Sequence, residues 1–204
     1  MKDLKSHWEK IYSEKEFEET SWFQQKPENS LNIIRSLGLS KKAHILDVGG
    51  GNSYLVDHLL DLGYENLSVL DISEKSLKKA KTRLGVKSEN VNWISKDVTR
   101  HNFEQHFELW HDRAAFHFLT EDHQITDYRS KLNAFLKSGG YFLLSTFSEK
   151  GPDKCSGIPV RKYSTESMQN LFEKDFEIVR LENQDHKTPW EAVQNFTIGL
   201  FRKK

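Results

Sequence analysis

One run of twenty residues, HILDVGGGNSYLVDHLLDLG (residues 44–63), constrains the fold of this chain more than any other. A short β-prone run is followed by three consecutive glycines, and an amphipathic helical pattern begins directly after them. Glycine is unfavourable in ordered backbone and is kept where the chain turns sharply or where another group approaches closely. A strand that passes through a glycine turn into a helix is typical of an α/β sheet whose turn forms the floor of a ligand site.

The spacing of apolar residues predicts that strands and helices alternate along most of the chain. A Gly/Pro/Ser-rich loop is predicted at 148–164, and the last two extended runs, 176–183 and 193–201, are expected to pair as an antiparallel hairpin. This order indicates a parallel sheet with helices on both faces. The predicted strands are 44–48, 66–72, 91–95, 107–111 and 140–147, and the predicted helices are 3–15, 27–37, 53–62, 74–84, 121–137 and 164–173.

Length and charge restrict the classes of protein to which the chain can belong. Its 204 residues fit one domain, 1–204, with residues 1–38 as an N-terminal helical extension. Thirty basic and thirty acidic residues balance, so there is no general attraction to nucleic acid or to an anionic membrane. A signal-type or membrane-spanning apolar run is missing and Cys155 is the single cysteine. We therefore expect a cytoplasmic protein, a monomer or weak dimer, without an internal disulfide.

Three kinds of ligand compete for the glycine turn. A P-loop requires Lys-Ser or Lys-Thr after its last glycine, and none follows Gly51. A dinucleotide site requires G-x-G-x-x-G, but the third glycine position is Tyr54. S-adenosylmethionine needs a tight turn but no phosphate cradle, so it is the interpretation that the turn favours.

Acidic residues at the ends of three successive strands favour the same ligand. Asp47 precedes the glycines and suits a cationic amino acid better than a pyrophosphate. Asp71 ends the second strand, where an acid can accept from both ribose hydroxyls, and Asp97 follows the third strand. Each acid alone could be only a turn former or a helix cap. The three together predict a ligand site.

The order of these motifs resembles that of the class I, seven-stranded S-adenosylmethionine-dependent methyltransferases. The matching stretches are D-V-G-G-G (47–51), L-D-I-S (70–73), K-D-V (96–98) and a strand that ends in W-H-D-R (110–113). The resemblance covers the chain from Ser30 onwards and includes distant similarity to the thiopurine methyltransferase group and to the citrate synthase lysine methyltransferase. It implies a doubly wound, mostly parallel seven-stranded sheet with an antiparallel last strand.

The resemblance also implies a role for each matched position. S-adenosylmethionine is the implied cofactor and S-adenosylhomocysteine its product. Gly50 stands where the family more often has Cys or Ala, which is a harmless change. The implied contacts are Asp47, Gly49, Gly50 and Gly51 with the methionine moiety, Asp71 with the ribose, Ile72, Asp97 and Val98 with the adenine, and His111 with the site wall after the fourth strand.

The stretch LWHDRAAFHFLTEDH (109–123) contains the candidates for catalysis. His117 is a candidate acid–base group because the unperturbed pKa of histidine lies near neutrality, and a buried packing role is the alternative. Asp112 is a second candidate, although an ion pair with Arg113 that braces the loop is slightly favoured. A metal site is not expected, because His111 and His117 are six residues apart and lack further ligands.

Two further segments are candidates for covering the site. Trp22 lies in a break between helices, and we expect it to act as a lid whose aromatic ring faces the sulfonium cation. The loop at 148–162 resembles the acceptor loop of the thiopurine methyltransferase group, and its Cys155 is expected to be an exposed structural thiol. Loops of this length in compact domains are usually functional or disordered.

The function that these observations favour is methyl transfer to a small-molecule acceptor by in-line displacement. The chain is short and shows no added recognition domain, which favours a small acceptor over a protein side chain. Transfer to a protein lysine and non-catalytic binding of S-adenosylmethionine are the alternatives. A nicotinamide oxidoreductase is disfavoured by Tyr54 and by the missing Tyr-x-x-x-Lys pair.

Overall fold

The computed structural model describes residues 4–204 and contains a seven-stranded sheet in the order β3-β2-β1-β4-β5-β9-β8. Strands β1 to β5 are parallel, and β9 runs antiparallel to both of its neighbours, β5 and β8. The predicted fold class is confirmed. The strands are β1 (His44–Val48), β2 (Asn66–Asp71), β3 (Val91–Ser95), β4 (Phe107–Arg113), β5 (Leu136–Phe147), β8 (Phe176–Lys187) and β9 (Val193–Lys203), and a separate small hairpin contains β6 (Lys154–Cys155) and β7 (Ile158–Pro159).

Between residues 4 and 204, six α-helices accompany the strands, and the residue that precedes each of two helices explains where that helix begins. Ser73 and Ser164 cap α4 and α6, because each hydroxyl accepts from the backbone N–H three residues later. The first predicted helix begins at residue 3, which lies outside the described residues. No helix within residues 4–204 has the length and apolar character needed to cross a membrane. The helices are α1 (Leu4–Glu14), α2 (Glu28–Ser36), α3 (Leu55–Asp61), α4 (Glu74–Leu84), α5 (Asp122–Phe135) and α6 (Thr165–Phe172).

Several boundaries differ from the predicted ones, and the differences around β4, β5 and the loop after β5 matter most for the site. Strand β4 continues to Arg113, two residues further than expected, because it pairs with β5 along this length. Strand β5 begins at Leu136, four residues earlier than predicted, and so includes the last two residues of the predicted helix 121–137. The predicted loop at 148–164 contains the β6–β7 hairpin.

Two apolar cores cover the two faces of the sheet. One contains Leu31 and Ile34 of α2 with Leu55 and Leu59 of α3, and the other is rich in aromatic residues from β4, β5, β9 and α6. Since both faces are covered, a ligand reaches the parallel strands only at their carboxyl ends. The glycine turn (49–51), Asp71 and Asp97 lie at that edge, because they end or follow β1, β2 and β3.

Candidate functional site

The glycine turn after β1 is a place where side chains do not fit. Gly49 has φ of +65° and Gly51 has φ of +49°, values that residues with a Cβ rarely adopt. A Cβ at Gly49 would lie 2.4 Å from the Cβ of Ala115, and a Cβ at Gly51 would lie 2.6 Å from Tyr12 Oη. The turn therefore lets α1 and the segment after β4 approach the sheet edge closely.

A cavity of about 150 Å³ lies above this turn and extends across the strand ends. The residues after β2 and β3 form one side, and Gly49 with Ala114 and Ala115 forms the middle. The residues after β4 and β5 and those on β9 form the other side, because these strands lie beyond β1 in the sheet. The lining includes Asp71, Ile72, Asp97 and Val98 on the first side, and Arg113, Phe118, Phe147, Cys155, Gln194 and Phe196 on the second.

Asp71 and Asp97 both line the cavity and both also shape their own turns. Oδ1 of Asp71 accepts from the backbone N–H of Ser73 at 2.8 Å, while Oδ2 lies beside Gly51. Oδ1 of Asp97 accepts from the backbone N–H and the hydroxyl of Thr99. The turn-forming interpretation is thus correct for both acids, and it leaves their place in the cavity wall unchanged. Their binding roles stay predictions.

Burial changes the proton affinity of Asp71. The carboxyl is removed from water, and this raises its pKa to about 7, with a smaller contribution from the negative charge of Asp47. Backbone and hydroxyl donors from α4 lower the pKa but do not cancel the effect of burial. Asp71 therefore titrates near neutral pH.

Asp47 and His111 form a buried pair beneath the glycine turn. Nδ1 of His111 lies 2.7 Å from Oδ1 of Asp47, and Nε2 lies 2.9 Å from Oγ of Ser30 on α2. These three residues and Gly50 line a smaller cavity of about 40 Å³, which Gly49, Trp22 and Arg113 border as well. The structure thus places the predicted methionine-side residues together, but behind the turn and in contact with one another.

Asp112 lies outside both cavities, and its predicted ion pair with Arg113 is wrong. Successive side chains of a strand point to opposite faces, so Asp112 points towards α5 and Arg113 towards the cavity. The carboxylate of Asp112 accepts from the backbone N–H groups of Ala115 and Phe116 and from the hydroxyl of Tyr128. Its burial raises the pKa to about 6. These contacts shape the turn after β4 and do not support a catalytic role.

His117 is also outside the cavity lining. Its imidazole is fully buried against Phe118 and Phe147, and the backbone N–H of Phe147 donates to Nδ1 at 3.3 Å. Burial, with the charge of Arg113 adding to it, lowers the pKa to about 3. A neutral, enclosed imidazole fits the packing alternative and not the acid–base role. No group of three or more metal-ligating side chains occurs in the described part of the chain.

Trp22 lines both cavities, together with aromatic residues of α1. Its ring contacts Trp8, with centroids 5.7 Å apart, and Trp8 contacts Phe118 at 5.1 Å. Helix α1 is held over the sheet edge by Glu9, whose carboxylate accepts from the backbone N–H groups of Glu74 and Lys75 at the start of α4. The N-terminal segment therefore forms a wall of the site, and its opening as a lid stays a prediction.

The expectation for Cys155 is wrong, because the thiol is buried and not exposed. It faces the cavity from β6, and burial raises its pKa to about 11. Its thiol is therefore protonated at neutral pH, and a thiolate nucleophile is disfavoured.

Among the cavity residues that the sequence does not assign to the site are the polar residues Tyr12, Arg113 and Gln194. The period-2 alternation of β4 was a usable signal for Arg113, since it places this residue on the same face as His111. Tyr12 lies in the predicted helix 3–15, whose periodicity predicts packing and does not identify a ligand contact. Gln194 had no signal, because its neighbours in the cavity come from distant parts of the chain.

The fold and the site together define a class of α/β protein with a ligand cavity at the carboxyl edge of a doubly wound sheet. A model of the methyltransferase domain family matches residues 45–140. An uncharacterized methyltransferase of Schizosaccharomyces pombe is 32% identical over 108 residues, which are 52% of this chain and 72% of that protein. The chain belongs to the class I S-adenosylmethionine-dependent methyltransferase family.

Two further comparisons give the breadth of this family. The chain is 26% identical to malonyl-[acyl-carrier protein] O-methyltransferase 2 of Ilyobacter polytropus over 164 residues, 75% of this chain, and spans 62% of that relative's length. The structure of the 1,6-didemethyltoxoflavin-N1-methyltransferase of Burkholderia thailandensis, with bound 1,6-didemethyltoxoflavin and S-adenosylhomocysteine, superposes with a TM-score of 0.74 at 19% identity. It covers 98% of this chain and 87% of that one.

The residues present fit the cofactor of this family. Gly49 lines the cavity without a side chain, and Asp71 in the same wall is a buried carboxylate suited to a ribose diol. Ile72 and Val98 supply apolar surface on the same side of the cavity. On the opposite side, Nη2 of Arg113 and Oε1 of Gln194 are buried polar atoms that lack a hydrogen-bond partner within residues 4–204. Buried polar groups without partners are uncommon in native proteins and point to a ligand that satisfies them.

Proposed function

We propose that this chain transfers the methyl group of S-adenosylmethionine to a small-molecule acceptor. The observation that carries the proposal is a single cavity that joins the two acids after β2 and β3 to an aromatic, partly polar wall after β4 and β5. One side suits an adenosine and the other suits an acceptor, so both would meet above Gly49. Both the Ilyobacter relative and the Burkholderia neighbour, by their names, methylate acceptors other than nucleic acids, which supports this choice.

The chain's own residues would hold the reactants and exclude water. Asp71 would accept from the ribose hydroxyls, and Ile72 and Val98 would pack on the adenine. When bound, S-adenosylmethionine supplies a methyl group activated by a sulfonium. Trp8, Trp22 and Phe118 would keep water away from the sulfonium end of the cofactor. An in-line displacement mainly requires that the acceptor atom is aligned with the methyl group and that water is excluded.

The cavity wall also indicates what kind of nucleophile the acceptor brings. Neither His117 nor Asp112 lines the cavity, and burial raises the pKa values of Tyr12 and Cys155, so both stay protonated at neutral pH. The wall therefore favours an acceptor whose nucleophilic atom needs no deprotonation by the protein at neutral pH. The zero net charge further supports a cytoplasmic small molecule over nucleic acid or a membrane surface.

Ligand binding and product formation test the proposal in two steps. We expect S-adenosylhomocysteine to raise the melting temperature, because a ligand that binds only the native state stabilises it, whereas NAD and ATP leave it unchanged. The release of S-adenosylhomocysteine is then measured with a panel of small carboxylates, amines, thiols and heterocycles. A melting-temperature shift with NAD alone would overturn the cofactor, and binding without turnover on any acceptor would favour a non-catalytic binder.

A further inference from the structure

Arg113 forms no ion pair within residues 4–204, although the negative charge of nearby Asp47 favours its protonated form. Arg113 stands at the end of β4 and borders both cavities as well as a polar cleft beside β8 and β9. Nη1 donates to the backbone carbonyl of Trp22 at 3.0 Å, and the guanidinium lies 5.2 Å from the ring centroid of Phe196. Nη2 is buried and has no hydrogen-bond partner among residues 4–204.

The acidic groups near Arg113 are occupied elsewhere. Asp47 is bound to His111 at 2.7 Å, and Asp112 points to the opposite face of the sheet. Asp185, in the cleft beside β8, accepts from the side-chain amide of Asn195 at 2.6 Å. Arg113 takes part in none of the ion pairs found within residues 4–204.

The positive charge also acts on its neighbours. Burial lowers the pKa of Arg113 to about 10, so that it stays charged at neutral pH. Burial lowers the pKa values of His117 and His186, and the charge of Arg113 adds to that effect. Keeping a buried guanidinium without a hydrogen-bonded counter-charge costs free energy. Oε1 of Gln194, an acceptor without a hydrogen-bond partner among residues 4–204, lines the same cavity and suits a donor group of the ligand.

We propose that Arg113, on the acceptor side of the cavity, binds a carboxylate-type anion of the methyl acceptor. This deepens the proposed function, on which it rests, because it defines a charge that the ligand carries. Guanidinium is the side chain best suited to a carboxylate, and the free N–H groups of Nη2 supply the donors. The same positive charge repels a lysine ammonium and so disfavours the protein lysine alternative.

The amino-acid end of the cofactor also carries a carboxylate and is the alternative to the acceptor. The arms of one binding experiment distinguish them. Calorimetry is carried out on the wild type, Arg113→Met and Arg113→Lys with S-adenosylhomocysteine and with 5′-methylthioadenosine, which lacks the amino-acid end. A panel of small carboxylates, including phenylacetate, and their matched amides is then titrated into protein saturated with S-adenosylhomocysteine.

The matched control is Arg180→Met. Arg180 lies on β8, is exposed and pairs with Glu182 at 2.8 Å, so its replacement removes one positive charge far from the cavity. We expect this variant to bind every probe as the wild type does. Melting temperatures of all variants are recorded to confirm folding, and Arg113→Lys keeps the charge if the methionine variant does not fold.

An acceptor carboxylate predicts that Arg113→Met binds S-adenosylhomocysteine within twofold of the wild type. It also predicts that this variant loses at least tenfold in affinity for the carboxylates and none for the amides. A cofactor carboxylate predicts at least a tenfold loss for S-adenosylhomocysteine and none for 5′-methylthioadenosine. The first result supports the acceptor site, in which Arg113→Lys should keep part of the preference. The second result would place Arg113 against the cofactor and overturn the acceptor site.

The proposal is overturned if neither S-adenosylhomocysteine nor any carboxylate distinguishes Arg113→Met from the wild type. A purely structural role, holding the backbone of Trp22, predicts that outcome together with a lower melting temperature. Failure of the wild type to bind S-adenosylhomocysteine and 5′-methylthioadenosine would instead overturn the proposed function. The two failures are therefore distinguishable.

Discussion

Replacing Asp71 with asparagine tests the adenosine side of the cavity. The shape and the acceptor for the Ser73 N–H remain, while the charge that would bind the ribose hydroxyls is lost. A charge-assisted hydrogen bond contributes about 1.5–3 kcal/mol, so we expect affinity for S-adenosylhomocysteine at pH 8 to fall by about 10- to 150-fold. Isothermal titration calorimetry measures this directly.

The raised pKa of Asp71 adds a pH dependence to the same experiment. With a pKa of about 7 in the free protein, the carboxylate fraction falls as the pH falls. It decreases from about 90% at pH 8 to about 10% at pH 6, so binding to the wild type should weaken by about tenfold. The asparagine variant lacks this titration, and the difference between the two proteins should therefore narrow by the same factor.

The free energy of unfolding should change with pH in the direction opposite to ligand affinity, falling as the pH rises. Because the folded pKa of Asp71 lies above its unfolded value, the native state binds the proton more tightly than the unfolded chain does. This contribution to stability is present below the unfolded pKa of about 4 and is lost as the pH rises through about 7. Without ligand, Asp71→Asn should gain stability relative to the wild type between pH 5 and pH 8.

The control for both measurements is Asp61→Asn. Asp61 is exposed at the end of α3 and pairs with Lys87, so its loss removes a charge without touching the cavity. Unchanged affinity in a folded Asp71→Asn protein, together with a wild-type affinity that does not vary between pH 6 and pH 8, would refute the role of Asp71.

Three further predictions concern the walls of the site. Trp22→Ala should reduce turnover more than stability, because its loss of unfolding free energy should stay below the roughly 3–5 kcal/mol of a core tryptophan. In the same test of the lid, S-adenosylhomocysteine should slow hydrogen exchange at 18–26 and 148–162, measured by mass spectrometry. Glu9→Gln removes the charged acceptor at the start of α4 and should lower stability by about 0.5–2 kcal/mol, measured by urea unfolding. Gly49→Ala should destabilise the protein through its clash with Ala115, and adding Ala115→Gly should leave a loss of about 1–2 kcal/mol from the positive φ.

Each of these predictions has a result that contradicts it. Identical exchange with and without ligand at both segments would return Trp22 to a packing role. A Glu9→Gln variant as stable as the wild type would mean that α1 is held by its aromatic contacts alone. If adding Ala115→Gly restores full stability to the Gly49→Ala variant, the positive φ at residue 49 does not contribute to the loss of stability.

The sequence by itself was sufficient to predict the sheet and its ligand edge. The alternation of strand and helix patterns is a local property, and side-chain periodicity reports it without knowledge of distant contacts. The three glycines needed only their own backbone requirements to predict a turn, and Asp71 and Asp97 were placed correctly because parallel strands end at one edge.

Only the tertiary structure determined which polar residues reach the cavity and in what protonation state. His117 looked suited to proton transfer, but Phe118 and Phe147 bury it, and the loss of solvent lowers its pKa. Cys155 looked exposed in a loop, yet the β6–β7 hairpin turns it inward. Arg113 lost its expected partner because adjacent strand residues point to opposite faces. Burial and pKa depend on neighbours that are far away in sequence, and packing brings those neighbours together only in the folded chain.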